Sequence, residues 1–82
     1  MQYNIEILKK ARKFIEAQPK NQQERILKAI YNLPESGDIV PFSGKKNTYR
    51  LRVGNYRIIY KIQDELLLIT IVNADNRGQV YK

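Results

Sequence analysis

The chain has 82 residues, near the lower limit at which one hydrophobic core carries a fold, so a second domain has no room and one domain over 1–82 is expected. It contains no cysteine and no histidine, which excludes disulfides and thiolate metal sites and removes the commonest general base; any chemistry is expected to run on other side chains, with no metal and no cofactor. A net charge of +7 favours a polyanionic partner, and its distribution is uneven: Lys45, Lys46, Arg50, Arg52, Arg57 and Lys61 fall between Ile39 and Gln63, where there is no acidic residue.

Tyr3, Ile5 and Ile7 alternate with Asn4 and Glu6, the period of a half-buried strand. That alternation lacks the long apolar run of a signal peptide or membrane span, so a cytoplasmic protein with no membrane partner is expected. From Leu8 to Gln18, the residues Leu8, Ala11, Phe14 and Ile15 recur at helical spacing and predict an amphipathic helix, interrupted at Pro19. Asn21, with Glu24 three residues on, is expected to cap a second helix striped by Ile26, Leu27, Ile30 and Leu33 and ended by Pro34. The short connection predicts an antiparallel helix hairpin packed on a sheet. Lys9, Lys10, Lys13 and Lys28 read as its solvated faces.

Pro34 to Gly44, rich in proline, glycine and serine, is expected to be a loop with little regular structure. Tyr49 to Val53 and Tyr56 to Ile62 alternate around Gly54-Asn55 and predict a tight β-hairpin. Asp64-Glu65 reads as a polar turn into a continuously apolar strand, Leu66 to Val72, followed by a polar loop from Asn73 to Gly78. The expected fold is α+β: an N-terminal strand, an antiparallel helix hairpin, then a three- to four-stranded mainly antiparallel sheet, with helices on one face.

The hairpin register sorts the side chains. With Gly54-Asn55 at the turn, Arg52 lies opposite Arg57 and Arg50 opposite Ile59. Tyr49, Leu51, Val53, Tyr56, Ile58, Tyr60 and Ile62 then face the core, and Arg50, Arg52, Arg57 and Lys61 share the other face. Directly opposed like charges destabilise a sheet, since their Cβ atoms stand about 4.5–5.5 Å apart. A bound phosphate would turn that repulsion into attraction, and no acid from Ile39 to Gln63 offers another remedy. The core-facing tyrosines, and Tyr31 on the second helix, read as packing or surface residues. Tyr81, four residues after Arg77 in a polar stretch, reads equally as a functional group or as cover for a sheet edge.

These residues resemble a known family. The stretch Tyr49-Arg-Leu-Arg-Val-Gly-Asn-Tyr-Arg-Ile-Ile-Tyr60, the Asp64-Glu65 turn and the ending Asn76-Arg-Gly-Gln-Val-Tyr-Lys82 are similar to the corresponding parts of RelE-type toxins of bacterial toxin–antitoxin pairs, within the wider RelE/ParE superfamily, and the likeness spans essentially the whole chain. The resemblance implies a ribosome-dependent endonuclease that cuts messenger RNA by attack of a ribose 2′-hydroxyl on the adjacent phosphate. Its partners are then the ribosome, mRNA and a cognate antitoxin. Carried over by motif, Arg50, Arg52, Arg57, Arg77 and Tyr81 are the catalytic set; Lys45, Lys46 and Lys61 of the basic segment and the final Lys82 are expected to hold RNA. Asn76 stands where some relatives have histidine, which puts a histidine mechanism out of reach. Arginine is too weak an acid to serve as a base, so Tyr81, with cations favouring its phenolate, is the candidate base, and Lys45, Lys46 or Lys82 the candidate proton donor. Two alternatives stand beside this reading: a ParE-like inhibitor of DNA gyrase, and a non-catalytic RNA-binding module.

Overall fold

The computed structural model describes residues 2–76. Its elements in chain order are β1 (Asn4–Ile7), α1 (Lys9–Glu16), α2 (Lys20–Tyr31), β2 (Asp38–Pro41), β3 (Thr48–Val53), β4 (Tyr56–Gln63), a 3-10 turn (Asp64–Leu66) and β5 (Leu68–Asn76). The strands form one sheet in the order β1-β5-β4-β3-β2, with β1 parallel to β5 and every other pair antiparallel. This is the expected α+β fold with more strand in it.

The helices cover one face of the sheet. Ala11 and Ile15 of α1, Ile26 and Ile30 of α2, and Leu33 just beyond it meet Leu51, Val53, Tyr56, Ile58, Tyr60, Ile69, Ile71 and Ala74 from the strands. Six of the larger side chains, Ile26, Ile30, Leu51, Ile58, Ile69 and Ile71, are fully buried, and each is worth about 1.5–3 kcal/mol on removal from water. The hairpin supplies the alternation this packing needs. Its turn has a positive φ at Gly54 (59°) and none at Asn55, the pattern of a turn with glycine at the first central position. Tyr49 and Tyr60 stack at 5.7 Å between ring centroids, and Phe14 meets Tyr56 edge to face at 5.9 Å, so these tyrosines are packing residues. The Tyr56 hydroxyl donates to Gln18 Oε1 at 3.2 Å, tying the sheet to the end of α1.

Three local expectations are corrected. Asn21 does not cap α2: the helix starts at Lys20, with Pro19 at the cap position and its carbonyl accepting from the amides of Gln22 and Gln23, both at 2.9 Å. The proline's fixed φ sets the entry that a side-chain cap would otherwise stabilise. Pro34 to Gly44 is not all loop, because Asp38–Pro41 forms β2, an edge strand pairing Ile39 with Leu51 and Pro41 with Tyr49. An edge tolerates proline, which a central strand does not. Asn73 to Asn76 also extends β5, its polarity explained by side chains on the open face and at the hairpin end.

Candidate functional site

The face away from the helices is open, and β3 and β4 load it with cations. Arg50, Arg52, Arg57 and Lys61 project from it, as the alternation predicts, and Arg52 is paired directly with Arg57. The two arginines continue into a row across four strands, Asp38 on β2, Arg52 on β3, Arg57 on β4 and Asp75 on β5. Each arginine thus has an aspartate on its outer side. Arg57 donates to Asp75 in bidentate fashion, Nε to Oδ1 at 3.2 Å and Nη2 to Oδ2 at 2.8 Å. That bond raises the affinity of Arg57 for its proton. Arg52 Nη1 is 3.9 Å from Asp38 Oδ2, a loose pair.

The expectation of an acid-free cluster is therefore corrected. No acid lies between Ile39 and Gln63 in sequence, but Asp38 precedes that stretch by one residue and Asp75 arrives from β5. Both pairs are more than a third exposed, so each contributes at most about 1 kcal/mol, and the Arg52–Arg57 repulsion is offset only in part. Two donors stay unmet: Arg50 Nε and Arg52 Nε are buried without a hydrogen-bond partner among the described residues. Such orphans cost about 1–3 kcal/mol each.

One step along the strands lies a groove of about 500 Å³ on the same face. Phe42, Ile59 and Val72 form its apolar part, with Thr48 and Asn73; Lys45, Lys46 and Lys61 stand around it. Ile59 is buried yet lies outside the core cluster under the helices. A bulge shapes this wall: Ile59 pairs with Asn73 and Tyr60 with Ile71, so Val72 is the extra residue of β5 and both Val72 and Asn73 line the groove. Lys45, Lys46 and Lys61, expected as RNA contacts, are thus gathered at one end of the face and the arginines at the other. Phe42, Val72 and Asn73 carried no signal in the sequence, since Phe42 fell in an expected loop and the bulge breaks the period that would have placed the other two.

Arg77, Tyr81 and Lys82 lie outside the described residues. No three histidine, cysteine, aspartate or glutamate side chains converge in a metal-binding group among the described residues. The buried Tyr60 hydroxyl is pushed up to about 12, first by desolvation and then by Tyr49, and it stays protonated at working pH. No helix among the described residues is long and apolar enough to cross a membrane.

The sequence profile of the family described as the ParE toxin of the type II toxin–antitoxin system parDE matches residues 5–81. No curated protein sequence gives a significant match. Among solved structures, the chain is similar to one in the RelE–RelB complex of the archaeon Pyrococcus horikoshii, with 30% identity, 96% of this chain and 99% of that chain covered, and a TM-score of 0.78. It is also similar to one in the RelBE2 toxin–antitoxin complex of Mycobacterium tuberculosis, at 22% identity, coverage of 95% and 94%, and a TM-score of 0.80. A third likeness is to one in the RelB–RelE antitoxin–toxin complex of Methanococcus jannaschii, at 27% identity, coverage of 93% and 94%, and a TM-score of 0.75. With a family match over nearly its whole length and a fold shared with RelE proteins, the chain belongs to the ParE toxin family, within the RelE/ParE superfamily of type II toxins.

Proposed function

We propose that this toxin acts in the cytoplasm as a ribosome-dependent endoribonuclease, one domain over residues 1–82 that cuts mRNA without metal or cofactor and is restrained by a cognate antitoxin. The observation that carries the reading is the Arg52–Arg57 pair on an open sheet face, with Arg50 and Lys61 beside it. That array holds and polarises a phosphate. The 2′-hydroxyl attacks the adjacent phosphorus, closing a cyclic phosphodiester as the bond to the 5′-oxygen breaks. Arg50, Arg52, Arg57 and Arg77 orient the phosphate and stabilise the charge that develops on its oxygens. Tyr81 takes the 2′-hydroxyl proton, and Lys45, Lys46 or Lys82 returns one to the leaving oxygen. Without a strong base the site depends on the ribosome to hold the RNA in line, a contribution that positioning alone can make large. The solved relatives are RelE proteins bound to RelB, which supports an antitoxin partner here.

A second reading has one specific observation behind it. The matching family profile is that of ParE, and Arg57 is already engaged by Asp75, which fits a toxin that binds gyrase and cuts nothing. Mapping cut sites on a transcript under translation, alongside a gyrase supercoiling assay, separates the two. Arg57→Ala and Tyr81→Phe are each expected to abolish cleavage on translating ribosomes while the circular dichroism spectrum stays that of the wild type. Full cleavage by Tyr81→Phe refutes the base assignment. Intact transcripts with inhibited gyrase establish the second reading, and RNA binding with neither effect leaves a non-catalytic module.

A further inference from the structure

We propose that the groove formed by Phe42, Ile59, Val72 and Asn73 is a nucleobase subsite that seats one base of a single-stranded RNA whose backbone runs over the arginine row. This rests on the RNA reading of the toxin and names the part of the ligand that the arginines do not hold.

Three observations converge on it. The first is position. Ile59 pairs with Arg50 and lies two residues from Arg57 on β4, so the groove begins about 6.6 Å along the strand from the phosphate-binding row. That is the span of one extended nucleotide, and both features open on the same sheet face.

The second is the mixture of chemistry. Phe42, Ile59 and Val72 make the lining partly apolar and partly aromatic, Lys45, Lys46 and Lys61 are cationic, and among the described residues no acid lines the groove. Single-stranded RNA combines a flat stacking body with an anionic chain, and proteins that hold it pair aromatic rings with cationic grooves.

The third is the bulge. A regular β5 would send Val72 and Asn73 to opposite faces; the bulge lets both line the groove. Asn73 Oδ1 accepts from the Ala74 amide at 2.9 Å, so the side-chain NH2 is the group left to meet a ligand. A donor there complements a base carbonyl. Guanine O6, uracil O4 or O2, cytosine O2 and the ring nitrogens of adenine all accept from such a donor, so the contact orients the base and the shape of the groove sets the preference among the four.

The test uses the full chain and 2′-O-methyl RNA trinucleotides, which cannot be cut by 2′-hydroxyl attack. Binding is followed by amide chemical shifts and by fluorescence anisotropy. The expected result is that shifts cluster at Phe42, Ile59, Val72 and Asn73, and that affinity depends on which base stands at one position. Phe42→Leu, which keeps an apolar side chain, is expected to weaken binding about tenfold. An abasic sugar at that position weakens the wild type similarly and does not weaken Phe42→Leu further. Additive losses overturn the proposal, as does indifference to the base or an absence of binding at millimolar RNA. An acidic, leucine-containing peptide that shifts the same residues when RNA does not assigns the groove to a protein partner. Failure of the parent reading has a different signature, because transcripts then remain uncut on translating ribosomes whatever the trinucleotides do.

Discussion

Arg57 brings its Asp75 partner to any ligand it meets. The bidentate contact uses Nε and one Nη2 proton, leaving Nη1 and the second Nη2 proton for a phosphate, so Asp75 orients the fork and also competes for it. Asp75→Asn is expected to lower stability by no more than about 1 kcal/mol, because the pair is exposed, and to tighten single-stranded RNA binding severalfold. Thermal melting and anisotropy measure the two effects; weaker binding would show orientation outweighing competition. Tyr60 gives a different kind of prediction. Its folded-state pKa of about 12 exceeds the ordinary 10, so its neutral form is favoured by folding. The stability it contributes is complete below about pH 10 and is lost as pH rises from there through 12. Tyr60→Phe should therefore flatten the loss of stability between about pH 10 and pH 12 in urea titrations. Some alkaline sensitivity will remain, since Tyr3, which donates to Asp64 Oδ1 at 2.6 Å, is shifted upward too. At this scale the sequence was legible where partners are local. Arg52 faces Arg57 across a two-residue turn and could be placed by counting, whereas Asp38 and Asp75 reach the row through separate strand pairings that no count from the turn reveals.

Among the elements, β2 shows what composition hides. Asp38–Pro41 sits in a stretch of prolines, glycines and serines and is only four residues long, too short to declare a period. What makes it a strand is the row of backbone groups that β3 offers along its edge. Its entry depends on Gly37, whose φ of 128° suits glycine alone and whose added Cβ would stand 2.7 Å from Leu51 Cδ1. Leu51 is fully buried and has little room to yield. Gly37→Ala is therefore expected to cost about 2 kcal/mol or more, read as a lower urea midpoint with an unchanged slope. β5 was legible from Leu68 to Val72: the apolar run expected as strand from Leu66 starts two residues early, since Leu66 ends the 3-10 turn and Leu67 has a positive φ of 49°, and beyond Val72 a bulge shifts the face on which each side chain falls, so its polar end resembles a loop. The helices were placed to within two or three residues because their apolar stripes report a face that tertiary packing uses directly.

For the whole molecule, charge and topology matter most. A net charge of +7 with four cations on one open face predicts that RNA affinity falls steeply with salt. If Arg50, Arg52, Arg57 and Lys61 each neutralise one phosphate, the slope of log K against log salt is about −3, and removing one of them should lower its magnitude by about 0.7. A slope near zero would mean that the face is not used for nucleic acid. Topology acts on a different clock. β1 is held by β5, Asn4 beside Leu68 and Ile7 beside Ile71, so the first strand made during synthesis waits for the last described one before it has a neighbour. The row Asp38-Arg52-Arg57-Asp75 waits for the same strand. The sheet therefore closes only once β5 has left the ribosome that makes it, and until then β1 has no strand to pair with while the β3–β4 hairpin can already form.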